Sequence, residues 1–197
     1  MRSVSHCIAG LTSLLLVACS SQEQPIDVAE VAGGQLFAME RLVVEDDTYR
    51  QLTNTLGKVE ASEQNGVVTL SLSLEGFEPG TSHAVHLHNG TCESPGMHWN
   101  QNSQESFCGK ESMGFPWMRS YAGDIGNVTV DGEGKAIFML QTDLWTLNTG
   151  DDSDILGKVI VIHQYAEDLT SECFILTAHD HAGNPKIACG TIAPASD

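Results

Sequence analysis

Basic side chains are scarce in this chain: Lys and Arg number 9 against 26 Asp and Glu, a formal net charge of −17. Phosphate neutralisation needs a basic face, so the charge argues against a nucleic-acid partner. The acidic excess is that of a well-solvated surface. Long apolar runs are also missing. The stretch "CIAGLTSLLLVA" (7–18) is too short to cross a bilayer as a mature helix. No later segment sustains a helical period with caps, which argues against a helical or α/β fold. Histidine is absent from residue 99 to residue 123, although the chain carries 8 in all.

The start of the chain reads as a leader. Arg2 supplies a positive flank and the apolar run ends in Leu16-Val17-Ala18-Cys19, followed by two serines. Small residues before a cysteine at that point resemble the bacterial lipobox, with a plain secretory signal as the alternative. The expected organisation is a lipoprotein signal peptide over 1–18, then a lipidated Cys19 with a flexible tether over 19–33. A single β domain over 34–197 follows. Several acyl chains on Cys19 would give stable anchoring, where one chain binds only marginally. Ser20 resembles the sorting signal for the outer membrane, so the domain is expected in a bacterial envelope, lipid-anchored and facing the periplasm.

From Gly57 the chain reads as short strands between Gly, Asp and Pro turns. "VVTLSLSL" (67–74) alternates, and "HAVHLH", "NVTV", "AIFML", "KVIVIH" and "KIACGTIA" follow. The expectation is an all-β sandwich or barrel of antiparallel strands. Two segments poor in strand signals, 89–123 and 164–185, are long enough to be functional loops. With Cys7 lost in the leader and Cys19 lipidated, Cys92, Cys108, Cys173 and Cys189 remain, an even set in an exported domain. Three pairings are open. One of them crosslinks the two long loops through Cys108 and Cys173 and leaves Cys92 with Cys189.

The histidines carry the chemistry. In a strand, residues i and i+2 face one side, so His86 and His88 point together while Leu87 points away. His163 ends the apolar run "VIVIH", where a bare imidazole is better explained by a ligand than by packing. His98 lies in the first long loop. Imidazole donors suit Cu(II) or Zn(II), with copper ahead of zinc on affinity.

"GFEPGTSHAVHLHNGTC" resembles the segment of copper/zinc superoxide dismutases that carries two copper ligands. "PGMHWN", "AGDIGNVTVDGEGKA", "LGKVIVIHQYAEDL" and "GNPKIACGTIA" resemble later segments of that family, in the family's order over 57–193. The resemblance implies a Greek-key β-sandwich or barrel of about eight strands with two functional loops. It places His86, His88, His98 and His163 on the copper ligands, Cys92 and Cys189 on the family's disulfide, and Lys186 on the cation that guides superoxide. His83 falls on a structural histidine. His98, besides binding copper, is implied as the ligand that releases on reduction and passes a proton.

The zinc site departs from the pattern. His98 and Asp124 fall on two of its ligands, but Tyr121 stands at a histidine position and the other histidine has no counterpart. Zinc is therefore doubtful, with Asp124 a vestige, and the chain looks like the copper-only members. His179 and His181 match nothing in the family and read as loop residues. The expected activity is copper-dependent disproportionation of superoxide to oxygen and peroxide. The alternative is a copper-binding or copper-buffering lipoprotein with little turnover. A far nitrogen of His98 relieved of zinc is expected to give a rate that declines at alkaline pH.

Overall fold

The computed structural model describes residues 30–43, 47–101, 121–167 and 184–195. The segment expected to be a leader, Cys19, most of the segment expected to be a tether, Cys108, Cys173, His179 and His181 lie outside the described residues. The described chain forms β1 (Glu30–Val43), β2 (Thr48–Gln64), β3 (Val67–Glu75), β4 (Ser82–His88), β5 (Asp124–Thr129), β6 (Lys135–Thr142), β7 (Val159–His163), β8 (Lys186–Thr191) and a short β9 (Ala193–Pro194). The strand order is β5-β4-β7-β8-β1-β2-β3-β6, antiparallel throughout, with β9 against β1. The terminal strands of that order, β5 and β6, are consecutive in the chain. The turn between them is closed by Asp131 N donating to Lys135 O at 2.7 Å, so the sheet curls back on itself as a barrel. The connections β3–β4 and β6–β7 skip intervening strands, the Greek-key feature that the resemblance implied.

β3 shows why the expected strands form. Val68, Leu70, Leu72 and Leu74 are buried at alternate positions, with Thr69, Ser71 and Ser73 on the other face. β7 is buried at every position because it is covered on both sides. Ile160 and Ile162 enter the main core with Leu36, Leu72, Leu87 and Trp145. Val159 and Val161 enter a smaller cluster with Met39, Tyr49, Cys92 and Cys189.

The two longest strands, β1 and β2, were not among the expected ones, and β1 takes in residues 30–33 of the segment read as tether. Their alternation is broken. The β1–β2 register shifts at Leu36/Phe37 and again at Phe37/Met39, so burial moves from Ala32 and Leu36 to the odd-numbered Met39. Gly57 sits at that irregularity with φ +147, where a Cβ would lie 2.0 Å from Ser73 O. Past Ala38, the last β1 residue paired with β8, the β1–β2 hairpin runs on toward the site end of the barrel.

Candidate metal centre

β4 delivers His86 and His88, and β7 delivers His163 from its last position. Both deliveries use an irregularity. The β4–β5 register shifts between Val85 and His86, and the β7–β8 register between Ile162 and His163. Bulges of this kind re-aim a side chain beside a site. His98 reaches the same place because its loop turns back along β4: Trp99 N donates to Leu87 O at 2.8 Å, and Gly123 N to Trp99 O at 2.9 Å. Trp99 is buried and fixes the return.

All four imidazoles are buried, and one donor atom from each lies within 4.8 Å of the others. The His86 and His98 rings are 3.8 Å apart between centroids, His88 and His98 4.7 Å, and His86 and His163 4.8 Å. Three of the rings are anchored through Nδ1. His88 Nδ1 donates to Gly96 O and His163 Nδ1 to Asn184 O, each at 2.9 Å. His98 Nδ1 donates to Asp124 Oδ1 at 2.6 Å. Each bond leaves Nε2 as the lone-pair nitrogen, the arrangement that orients a metal-binding imidazole.

His86 Nδ1, His88 Nε2 and His163 Nε2 are buried and have no hydrogen-bond partner. Leaving such atoms unsatisfied costs about 1–3 kcal/mol each, so their convergence calls for a bound ion. Four neutral nitrogens fit copper or zinc and suit no hard cation. Burial, reinforced by neighbouring histidines, holds His88 and His163 well below the usual imidazole pKa, so neither competes for a proton near neutrality.

The other expected residues fall around this cluster. His83 lies outside it: its Nδ1 donates to His163 O at 2.9 Å and its Nε2 meets Thr81 Oγ1 at 2.8 Å. Asp124 is buried and occupied, accepting from His98 and, through Oδ2, from Tyr121 N at 3.0 Å. Burial, with Asp124 adding to it, pushes the Tyr121 phenol pKa up, so Tyr121 is neutral at physiological pH. Cys92 and Cys189 form a disulfide. Lys186 pairs with His163 in the β7–β8 register, its ammonium is buried, and Asp47 Oδ2 lies 2.5 Å from it.

Two acidic residues at the site were not singled out from the sequence. Glu167 Oε1 lies 2.8 Å from His86 Nε2, a close contact that lacks hydrogen-bond alignment. Its backbone is held by Asn127, which accepts from Glu167 N at 2.9 Å and donates to Glu167 O at 2.8 Å. The acidic pair after His163 in "IHQYAED" was a usable signal for Glu167. Asp47 had none, since it sits 139 residues from its partner Lys186.

Comparison with known proteins agrees with this geometry. Residues 55–192 match the family model of copper/zinc superoxide dismutase (SODC). A curated relative, "Superoxide dismutase [Cu-Zn]" of Yarrowia lipolytica, is 33% identical over 140 residues, covering 68% of this chain and 84% of that protein. Among solved structures, a SOD-like protein from Bacillus subtilis superposes with a TM-score of 0.56 at 24% identity, over 81% of this chain and 97% of that one. The clock protein EA4 superposes with a TM-score of 0.57 at 22% identity, over 85% and 96% of the two chains. The chain belongs to the copper/zinc superoxide dismutase family.

Proposed function

We propose that this protein is a copper-dependent superoxide dismutase of a bacterial envelope, working without a rebuilt zinc site and tethered through Cys19. The observation that carries the reading is the convergence of four buried imidazoles with unpartnered ring nitrogens on three of them. Copper, when bound there, supplies the one-electron exchange by which one superoxide leaves as oxygen and a second as peroxide.

The chain's own part is to hold and protonate. His86, His88 and His163 form a buried donor set whose tautomers are fixed at His88 and His163. Peroxide needs two protons. His98 is placed to pass one, because Asp124 steadies its Nδ1–H and leaves Nε2 to take and give a proton on the cluster side. Asp124 thus serves His98 directly, which supports function without zinc, as does the tyrosine at a zinc-histidine position.

A second reading, copper binding with little turnover, is favoured by one observation: the cation expected to attract superoxide is buried against a carboxylate. Assaying copper-loaded mature protein for superoxide removal, beside His163→Ala, separates the two. Catalysis that disappears in the variant supports the enzyme, and copper retention with no turnover supports the alternative. Membrane fractionation of Cys19→Ser tests the anchor: loss of the protein from the membrane fraction supports it, and retention there refutes it.

A further inference from the structure

The β1–β2 hairpin brings a carboxylate to the buried cation beside the histidine cluster. Asp47, immediately before β2, has φ 49, a left-handed conformation that aspartate and asparagine tolerate. Its side chain meets three groups: Lys186 Nζ at 2.5 Å, Tyr49 OH donating at 2.9 Å, and Arg41 Nη2 at 3.6 Å. Tyr49 OH in turn accepts from Lys186 N at 3.3 Å, and Tyr49 N donates to Glu93 O beside the disulfide. Burial, with Asp47 adding to it, raises the Tyr49 phenol to about 12, so it remains a donor. Asp47 and Tyr49, at the start of β2, are therefore built onto the strand that carries Lys186 and onto the Cys92 loop.

We infer that Asp47 governs anion access to the metal centre by holding Lys186 in a buried ion pair beside Arg41, so that one net positive charge, in place of two, faces an approaching anion. This rests on the dismutase reading for the identity of that anion, superoxide. The lock itself is a property of the metal-free fold. A free ammonium raises the local anion concentration, whereas one paired at 2.5 Å presents almost no net charge at range. Across a chain of net charge −17, the single positive charge left by Lys186, Arg41 and Asp47 together makes anion capture slower and less dependent on salt than two would.

The test uses the full mature protein loaded with copper, azide as the anion probe, and D47N, D47E, K186Q and D47N/K186Q. Azide affinity is read by titration of the Cu(II) spectrum at several ionic strengths. D47N is expected to bind azide about three- to tenfold more tightly at low salt, with a steeper loss on adding salt. D47E keeps the wild-type value, K186Q binds more weakly, and the double variant returns to within about twofold of wild type. Glu60→Gln, which removes an exposed carboxylate paired to Lys58, changes nothing and controls for bulk charge. Unchanged or weaker azide binding in D47N, or a double variant as tight as D47N, overturns the inference while leaving the dismutase reading intact.

Acetylation of the metal-free protein, mapped by mass spectrometry, is independent of copper and keeps the idea testable if loading fails. Lys186 is expected to react at least about tenfold faster in D47N than in wild type, with exposed Lys58 and Lys135 unaltered. Equal reactivity of Lys186 in the two proteins overturns the lock. Should D47N not fold, D47S takes its place with the same expectation, and Lys186 acetylated in wild type as fast as Lys58 refutes the lock.

Discussion

His98 Nδ1 and Asp124 Oδ1 lie 2.6 Å apart in a buried hydrogen bond, joining a loop imidazole to the first residue of β5. Residues that orient a metal-binding histidine typically account for about 10–100-fold in metal affinity or activity. Asp124→Leu is accordingly expected to weaken copper binding by about that factor in a chelator-competition titration. Asp124→Asn, which still offers an oxygen acceptor, should lose less. Equal affinities for all three proteins would show that the contact does not orient the site.

Acid should unfold the metal-free protein early. His88 and His163 are held well below the ordinary imidazole pKa in the fold, mainly by burial. The unfolded chain therefore binds protons there, from about pH 6.5 downward, that the folded chain refuses. Stability is full above that pH and falls by up to about 1.4 kcal/mol per pH unit for each histidine below it. Thermal melts of metal-free protein between about pH 7.5 and 5 should show the fall, and His88→Gln should reduce its slope.

The Cys92–Cys189 disulfide closes a loop with a sequence separation of 97 and ties the first loop to β8. Removing both sulfurs with Cys92→Ser/Cys189→Ser should cost about 2–5 kcal/mol in denaturant unfolding. Losses should concentrate in the small cluster of Met39, Tyr49, Val159 and Val161, visible as faster amide exchange there.

Much of this architecture is written in local pattern. β3 announces itself by alternation and β7 by an unbroken β-branched run, and His86 and His88 share a face because strand geometry requires it. The four histidines were legible together only through the ordered family segments, since nothing local joins His98 to His163. β1 and β2 were missed because three register shifts break the period on which strand recognition depends, and because β2 buries few of its side chains. The Asp47–Lys186 pair was invisible for a different reason: ion pairs between distant strands leave no trace in spacing. Asp124, read as a vestige, proved to be bonded to His98, a fact that only the return of the loop along β4 could supply.

Leu87 separates the two β4 ligands and is fully buried in the main core. Leu87→Ala should cost about 2–5 kcal/mol in stability. Because its side chain points away from the cluster, copper stoichiometry at native conditions should hold. Loss of copper without loss of fold would show that β4 does not position its histidines independently of this core contact.

The most direct test of the four-histidine centre is copper analysis with electron paramagnetic resonance on the purified mature protein and its single His→Ala variants at 86, 88, 98 and 163. The expected result is one copper per chain, a Cu(II) spectrum split by imidazole nitrogens, and an altered spectrum in each variant. A protein that takes up no copper, or whose spectrum is indifferent to those four substitutions, contradicts it.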